Sequence, residues 1–393
     1  KLDKERSVKQ VQQFADMGMG GFYMHSRVGM ATPYLGPEFM ECVKACVEEA
    51  KEKGLLARLY DEDRWPSGYG GGYVTSEEEL RSKYLVITPF KNGTADYPEP
   101  IFDSRAVVSP KGDGRFLTAF YVKIGERGEL EDYHTCVEDA PHKEGYKKWY
   151  VYLETGIDNP WFNNKSYADT LNKKAADKFL DVTYEAYYKN LSGDFGKNIP
   201  AIFTDEPQFV AKQNLGSANS LNAVILPFTG DFDETFQEKY HSSILAHIPE
   251  VLWDLPGKEI SRYRYWYHLH VTDRFYEDFV KRISNWCDEH DILLTGHLME
   301  EPTLHTQTCA EGDIMKGLSG FGIPGVDMLC DFREYTTVKQ AQSVAHQYGR
   351  KWVASELYGV TNWDFDFRRH KLQGDWQAAL GVNHRIHHLT WMS

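Results

Sequence analysis

The runs Ala201-Ile202-Phe203-Thr204-Asp205-Glu206-Pro207 and Trp352-Val353-Ala354-Ser355-Glu356-Leu357-Tyr358 decide how this sequence folds. Each is a brief apolar stretch, long enough for a buried strand, that stops abruptly at a carboxylate. Charge resists burial and Pro207 cannot donate to a β-ladder, so the strand does not continue into the core. Two such strands aim two glutamates into one pocket if their sheet closes into a barrel. Paired carboxylates at strand ends are the equipment of glycosidic bond cleavage.

Outward from these runs the chain alternates helix and strand. Asp3 reads as an N-cap, Val8, Val11, Phe14 and Ala15 keep helical spacing, and Gly18, Gly20 and Gly21 end the helix. Gly21 to Ser26 reads as a strand finishing in His25-Ser26-Arg27. Pro37 opens a helix with Phe39, Met40, Val43, Cys46, Val47 and Ala50 on one face and Gly54 as its C-cap. Leu55 to Tyr60 is the next strand and ends in Asp61-Glu62-Asp63. Further strand signals begin at Ile199, Ile292, Ile323, Trp352 and His384, with helices between them.

The rhythm breaks between 81 and 157, where Leu85 to Pro89, Phe116 to Ile124 and Trp149 to Leu153 read as antiparallel strands. The expected organisation is an α/β fold, a (β/α)8 TIM-type barrel. Residues 1–80 form its first part, 81–157 a β-rich insertion on a loop, and 158–393 the remainder. The strand signals number seven, and the chain opens on a helix and on Lys1 rather than Met. The missing strand is expected to precede Lys1, making this a fragment of a larger multidomain protein. A gap is then expected between the strands at 21 and 384.

Composition narrows the partners. With 393 residues the chain can bury a large core, and a net charge of -14 disfavours nucleic acid and anionic membrane surfaces. Neutral substrates such as sugars are unopposed, and 10 Trp and 24 Tyr supply rings that stack on sugar faces. The 6 cysteines include no CxxC pair, so neither a disulfide framework nor a cysteine zinc site is expected. No apolar stretch reaches about 18 residues, so no transmembrane helix is expected. Bacterial cytoplasm and export by a signal outside these residues both stay open.

Nearly every strand signal ends in a residue suited to a site: His25, Asp61, Asp205 with Glu206, His297, Asp327, Glu356 and His384. In a parallel barrel all these ends lie on one face. Glycosidic cleavage needs one carboxylic acid to protonate the departing oxygen and a second carboxylate to attack the anomeric carbon or activate water. Glu206 and Glu356 are the best pair, and the plain alternative for either is an ion pair with Arg27 or Arg58. Asp205 reads as an orienting group, while Glu300 and Glu301 are rivals in a loop. His297 is suited to a sugar hydroxyl or to holding a carboxylate. Trp65 is a candidate sugar platform, and Asp61, Asp327, His25 and Tyr358 complete the substrate-binding candidates. Gly70 to Gly72 lack the Lys-Ser/Thr ending of a P-loop. His384 and His388 share a strand face opposite His387, without defined zinc spacing. No cofactor is required by the sequence, and the run Asp61-Glu62-Asp63 leaves room for an oxygen-ligated Ca²⁺.

Together these segments resemble the α-L-rhamnosidase-like glycoside hydrolases, family one hundred and six and its uncharacterised relatives. The similar stretches are Gly20 to Gly29, Tyr60 to Gly68, Phe203 to Pro207, Thr295 to His297, Pro324 to Asp327, and Ser355-Glu356. The resemblance implies a barrel within a larger enzyme, with the acid on strand four and its partner carboxylate on strand seven. Those roles fall on Glu206 and Glu356. It further implies inversion of configuration, a role open to calcium, and an oligosaccharide or glycoside substrate. Two alternatives stand beside it. One is a retaining β-galactosidase-like glycosidase, with carboxylates about 5–5.5 Å apart instead of about 6.5–9.5 Å. The other is a non-catalytic carbohydrate-binding barrel.

Overall fold

The computed structural model describes residues 1–94, 111–329 and 333–390. Among them the strands run, in chain order, β1 (Gly21–Met24), β2 (Leu56–Tyr60), β3 (Lys83–Thr88), β4 (Arg115–Ile124), β5 (Leu130–Cys136), β6 (Lys147–Thr155), β7 (Ala201–Asp205), β8 (Val224–Phe228), β9 (Leu293–His297), β10 (Ile323–Met328), β11 (Ala354–Leu357) and β12 (His384–His387). All seven expected barrel strands join one parallel sheet in chain order, β1-β2-β7-β9-β10-β11-β12. Parallel strands flanked by helices are buried on both faces, which is why they read as short unbroken apolar runs. The sheet curls into a nearly closed barrel.

The helices pack on its outside. Pro37–Lys53 starts at a proline, stops at Gly54 in the left-handed conformation (φ 70), and buries Phe39, Met40, Val43, Cys46, Val47 and Ala50. Its capping residues and its apolar face therefore set both its length and its side of contact. Asp3 caps Lys4–Asp16 by accepting from the Arg6 amide at 2.9 Å. The five described cysteines are free, and Cys42 and Cys46 are buried as expected. No helix among the described residues is long and apolar enough to cross a membrane.

β1 and β12 are the two edges, and no pairing joins them among the described residues. The expected gap between 21 and 384 is therefore present. Only side chains reach across, with the Tyr23 hydroxyl 3.1 Å from His384 Nε2. A cavity of about 860 Å³ lies there, lined by both edge strands and the two N-terminal helices. No eighth parallel strand occurs among the described residues.

β3 to β6 form an antiparallel sheet with the order β5-β4-β6-β3-β8. Its fifth strand, β8, comes from after residue 157, pairing Leu226 with Leu85 of β3. β5 gives this sheet a further strand that the sequence pattern does not announce, because its exposed residues, Glu131, His134 and Thr135, do not alternate along it. The sheet is tied down by Tyr133, whose hydroxyl meets Glu250 at 2.6 Å and His247 at 2.8 Å.

Register places the polar ends level with one another. Asp205 pairs with His297 across β7 and β9, and Asp327 pairs with Glu356 across β10 and β11. Gly296 makes the first pairing possible. Its φ is +122°, and a Cβ there would lie 1.8 Å from the Thr204 carbonyl oxygen. Gly296→Ala must push β9 from β7, and a loss of about 4 kcal/mol or more is expected in denaturant unfolding. A Gly296→Ala chain as stable as the parent would show that the strands separate freely.

Candidate active site

The end of β7 is clamped before it turns. The Asp205 amide donates to Ser67 Oγ at 2.8 Å, and the Ser67 amide donates to the Asp205 carbonyl at 2.7 Å. The Trp65-Pro66-Ser67-Gly68 loop thus lies directly against β7. Ser67 Oγ in turn donates to Asp61 Oδ1 at 2.6 Å, and the Tyr184 hydroxyl donates to Asp61 Oδ2 at 2.7 Å. Beyond this anchor Glu206 adopts φ +46°, a left-handed backbone that non-glycine residues rarely take. Such strain persists only where the surroundings enforce it. Here it turns the glutamate out of the strand direction.

His297 is the hub. Its Nε2 lies 3.0 Å from Asp205 Oδ1 and 3.9 Å from Asp327 Oδ2, while its Nδ1 lies 3.8 Å from Glu356 Oε2. Burial alone would lower its pKa, but the charges of Asp327, Asp205 and Glu356 outweigh burial and hold it well above the ordinary value. An imidazolium therefore sits among carboxylates. Asp205 also accepts from the Tyr60 hydroxyl at 2.5 Å, and despite burial its carboxyl is lowered by His297, His25 and Tyr60.

The two glutamates face different neighbours. Burial pushes the Glu206 carboxyl well up, and Asp205, Asp327 and Glu356 add repulsion that His297 only partly offsets. Asp327 is hydrogen-bonded to it. Glu356 is also pushed well up by burial and by Asp205 and Asp327, but His297 and Arg27 both oppose the shift. His388 Nε2 stands 3.5 Å from Glu356 Oε1. Both carboxyls are thus raised, and Glu356 is the one nearer to cationic and donor groups. The sequence pattern anticipates an acid more enclosed than its partner. Enclosure does not rank them here, since both are half-buried; their neighbours do.

Of the substrate-binding candidates, His25, Asp205, His297 and Asp327 converge with the glutamates. His25 stacks on Tyr60 at 3.6 Å with Nε2 4.0 Å from Asp205 Oδ2, and burial pushes it down to about 3. Trp65 is half-buried, edge-on to Trp161 and capped by the Arg27 guanidinium 4.5 Å from its ring. Tyr358 turns toward His370 and His387, with ring centroids 4.6 and 5.3 Å away. Asp61 is fully buried behind Asp205, and both its oxygens are taken. Neither does the run Asp61-Glu62-Asp63 gather as an oxygen cage. Glu62 accepts from the Asp63, Gly68, Gly70 and Gly71 amides, and Asp63 from Ser26, Arg64 and Asn163. These carboxylates hold the glycine-rich loop and its neighbours.

The carboxylates that do gather are elsewhere. Asp205, His297 and Glu356 bring one ligand atom each within 4.8 Å of one another, as do Glu206, His297 and Asp327. Of the rivals, Glu300 is exposed, while Glu301 is buried and accepts from the Asp327 amide at 3.0 Å. Sequence reasoning passed over Tyr60 and His388 as site residues and left Glu301 only a rival. The only signal for Tyr60 and His388 was their position at strand ends.

Several of these groups make stability depend on pH. Burial raises Asp61 to about 7 and Glu301 to about 8, and raises Glu62 and Glu311 well above the carboxylate range. The fold keeps protons that the unfolded chain releases near pH 4, so stability falls as pH rises through the folded values. Burial lowers His25 to about 3 and His384 and His388 to about 4, which costs stability only below about pH 6.5. Lys212, lowered by burial to about 7, opposes the carboxylates above that pH, but it is one group against four. The thermal midpoint is expected to drop between pH 6.5 and 8. A rise over that interval in a calorimetric series would contradict this balance.

No protein-family model matches the chain, and no curated protein matches it by sequence. Among solved structures it is similar to a rhamnosidase from Novosphingobium sp. PP1Y, with a TM-score of 0.61 and 14% identity. The match covers 99% of this chain and 54% of that one, so the chain spans about half the length of its structural neighbour. The chain has a rhamnosidase-like fold.

Proposed function

We propose that this chain carries the active site of a glycoside hydrolase, with Glu206 as general acid and Glu356 as its partner carboxylate. The observation that supports it is the contrast between the two glutamates around His297. One is held among carboxylates and hydrogen-bonded to Asp327, whereas the other faces histidines and Arg27. Both carboxyls are raised, and only Glu356 has a second cation, Arg27, opposing the rise, which favours Glu206 as the acid. Glu206 delivers its proton to the glycosidic oxygen as that bond breaks. Glu356 takes a proton from water that attacks the anomeric carbon from the other face, giving inversion. His297 keeps Asp205 charged beside the forming cation. His388, neutral because burial lowers it, presents Nε2 beside Glu356 to a sugar hydroxyl, whereas the His25 nitrogens are engaged by the Ser26 carbonyl and the Arg27 guanidinium.

The finer reading is an α-L-rhamnosidase-like enzyme of family one hundred and six, supported by the motifs quoted above and by the fold of the Novosphingobium rhamnosidase. The length of that neighbour favours further domains, and the slot between β1 and β12 has room for an eighth strand from further polypeptide. The test is a panel of aryl glycosides, with NMR of the first-formed anomer. Hydrolysis with inversion supports the reading; retention assigns Glu356 as nucleophile instead. No hydrolysis of any member, with sugar binding intact, would leave a carbohydrate-binding barrel.

A hard cation also fits this site. Asp327 Oδ1 is buried without a partner among the described residues, and Asp205 Oδ1 and Asp327 Oδ2 both face His297 Nε2, at 3.0 and 3.9 Å. Asp327 would offer that free oxygen to Ca²⁺, and Asp205 would join it only by exchanging His297 for the ion, with water or sugar hydroxyls completing the oxygen shell. When bound it supplies fixed positive charge to orient those hydroxyls. Exhaustive chelation is expected to lower turnover and added Ca²⁺ to restore it. Unchanged turnover removes the cation from the reading.

A further inference from the structure

The loop leaving β11 begins on the wall of the site and ends in open solvent. Tyr358 turns it with φ +76°. Gly359 then lies so close to His388 that a Cβ would stand 2.5 Å from its Nδ1. His388 is the histidine beside Glu356. The root of the loop is fixed, because Thr361 Oγ1 donates to the Tyr358 carbonyl at 2.9 Å and the Phe365 amide to the Asn362 carbonyl at 3.0 Å. Its tip is bare. Val360 is 82%, Phe367 92% and Trp363 107% exposed, and Trp363 is the most exposed large apolar side chain among the described residues.

Exposed apolar groups are ordinary when single, but a cluster of aromatics beside a site marks a binding surface. Loops at the C-terminal ends of barrel strands form the mouth of the site. A sugar whose anomeric carbon lies between Glu206 and Glu356 fills the pocket, so its leaving group projects through that mouth. The loop bordering it on the Glu356 side presents an indole, and the helix that follows opens on a phenyl ring, neither in a ring contact among the described residues. Flat apolar faces stack on such rings, whether they belong to an aromatic aglycone or to the apolar face of a second sugar.

We propose that the β11 loop, with Trp363 as its anchor and Phe367 and Val360 beside it, is the subsite for a flat, apolar-faced leaving group of the glycoside. The inference rests on the glycosidase reading and adds to it the character of the leaving group. Its test compares the parent chain with Trp363→Ala and Trp363→Phe on glycosides of one sugar. The leaving groups are fluoride, 4-methylumbelliferone and a second sugar. For Trp363→Ala the KM for an extended leaving group, relative to the fluoride, is expected to rise ~10-fold, with the kcat ratio changing much less. Trp363→Phe should recover most of that rise. A rise confined to the methylumbelliferyl substrate assigns an aromatic aglycone, and one confined to the disaccharide assigns a second sugar. Equal KM changes for all three leaving groups, or none, overturn the subsite while leaving the glycosidase standing. A Trp363→Ala chain with a lowered thermal midpoint or an altered mass in solution also overturns it, because the loop is then covered by protein. If the parent hydrolyses none of the substrates, the glycosidase reading falls, and the subsite with it.

Discussion

Glu206→Gln is expected to lower hydrolysis of alkyl and sugar-linked glycosides by roughly 10²–10⁴-fold, the span associated with losing a general acid. An aryl glycoside whose phenol leaves without protonation should keep much more of its rate. The amide has nearly the size of the acid and still hydrogen-bonds to Asp327, so the fold should hold. The alkaline limb of the pH–rate profile should also change. In the parent, burial and the surrounding carboxylates keep the Glu206 proton in place above the ordinary carboxylate range, and rate declines as pH rises through that raised value. In the Glu206→Gln chain that decline should be absent for the activated substrate. Equal losses on both substrate classes would reject Glu206 as the acid.

Glu356→Gln should damage both substrate classes alike, again by roughly 10²–10⁴-fold, because activating water does not depend on the leaving group. The loss should fall on kcat more than on KM if the carboxylate acts mainly in the transition state. Azide or formate, supplied as a small external nucleophile, provides the control. Partial rescue, with the anomer of the product identified by NMR, would tie the defect to attack on the anomeric carbon. A chain carrying both substitutions that turns over at the parental rate would refute the pair outright. The two effects need not add, since both glutamates act on one bond in one transition state.

Much of this arrangement was legible because parallel strands buried on two faces leave an unambiguous trace. Ala201 to Asp205 and Ile323 to Met328 are apolar until the last residues, and their register brings the polar ends level. The gap between β1 and β12 was legible for the same reason, since seven strands were signalled and seven formed. Acidic clustering was less informative. Asp61, Glu62 and Asp63 resemble a metal run in one dimension, yet the glycine amides and hydroxyls that satisfy them are seen only when the loop folds back. β8 was also hidden, because Val224 to Phe228 pairs with a strand far earlier in the chain. His388 and Glu301 owe their places to loop paths after the strands, which no periodicity records.

The unpaired edge also bears on how the site moves. A cracked ring gapes at its crack while the arc across from it keeps its curvature. Here the crack separates β1 from β12, but β7, β9, β10 and β11 are stitched together strand by strand. Thermal breathing should therefore part His25 from His388 and leave the spacing of Glu206 and Glu356 fixed. The catalytic gauge would be rigid and the sugar-gripping jaw compliant, so one pocket could admit rings of different girth without detuning its chemistry. Spin labels spanning the crack should report a broad distance distribution, and labels from β7 to β11 a narrow one.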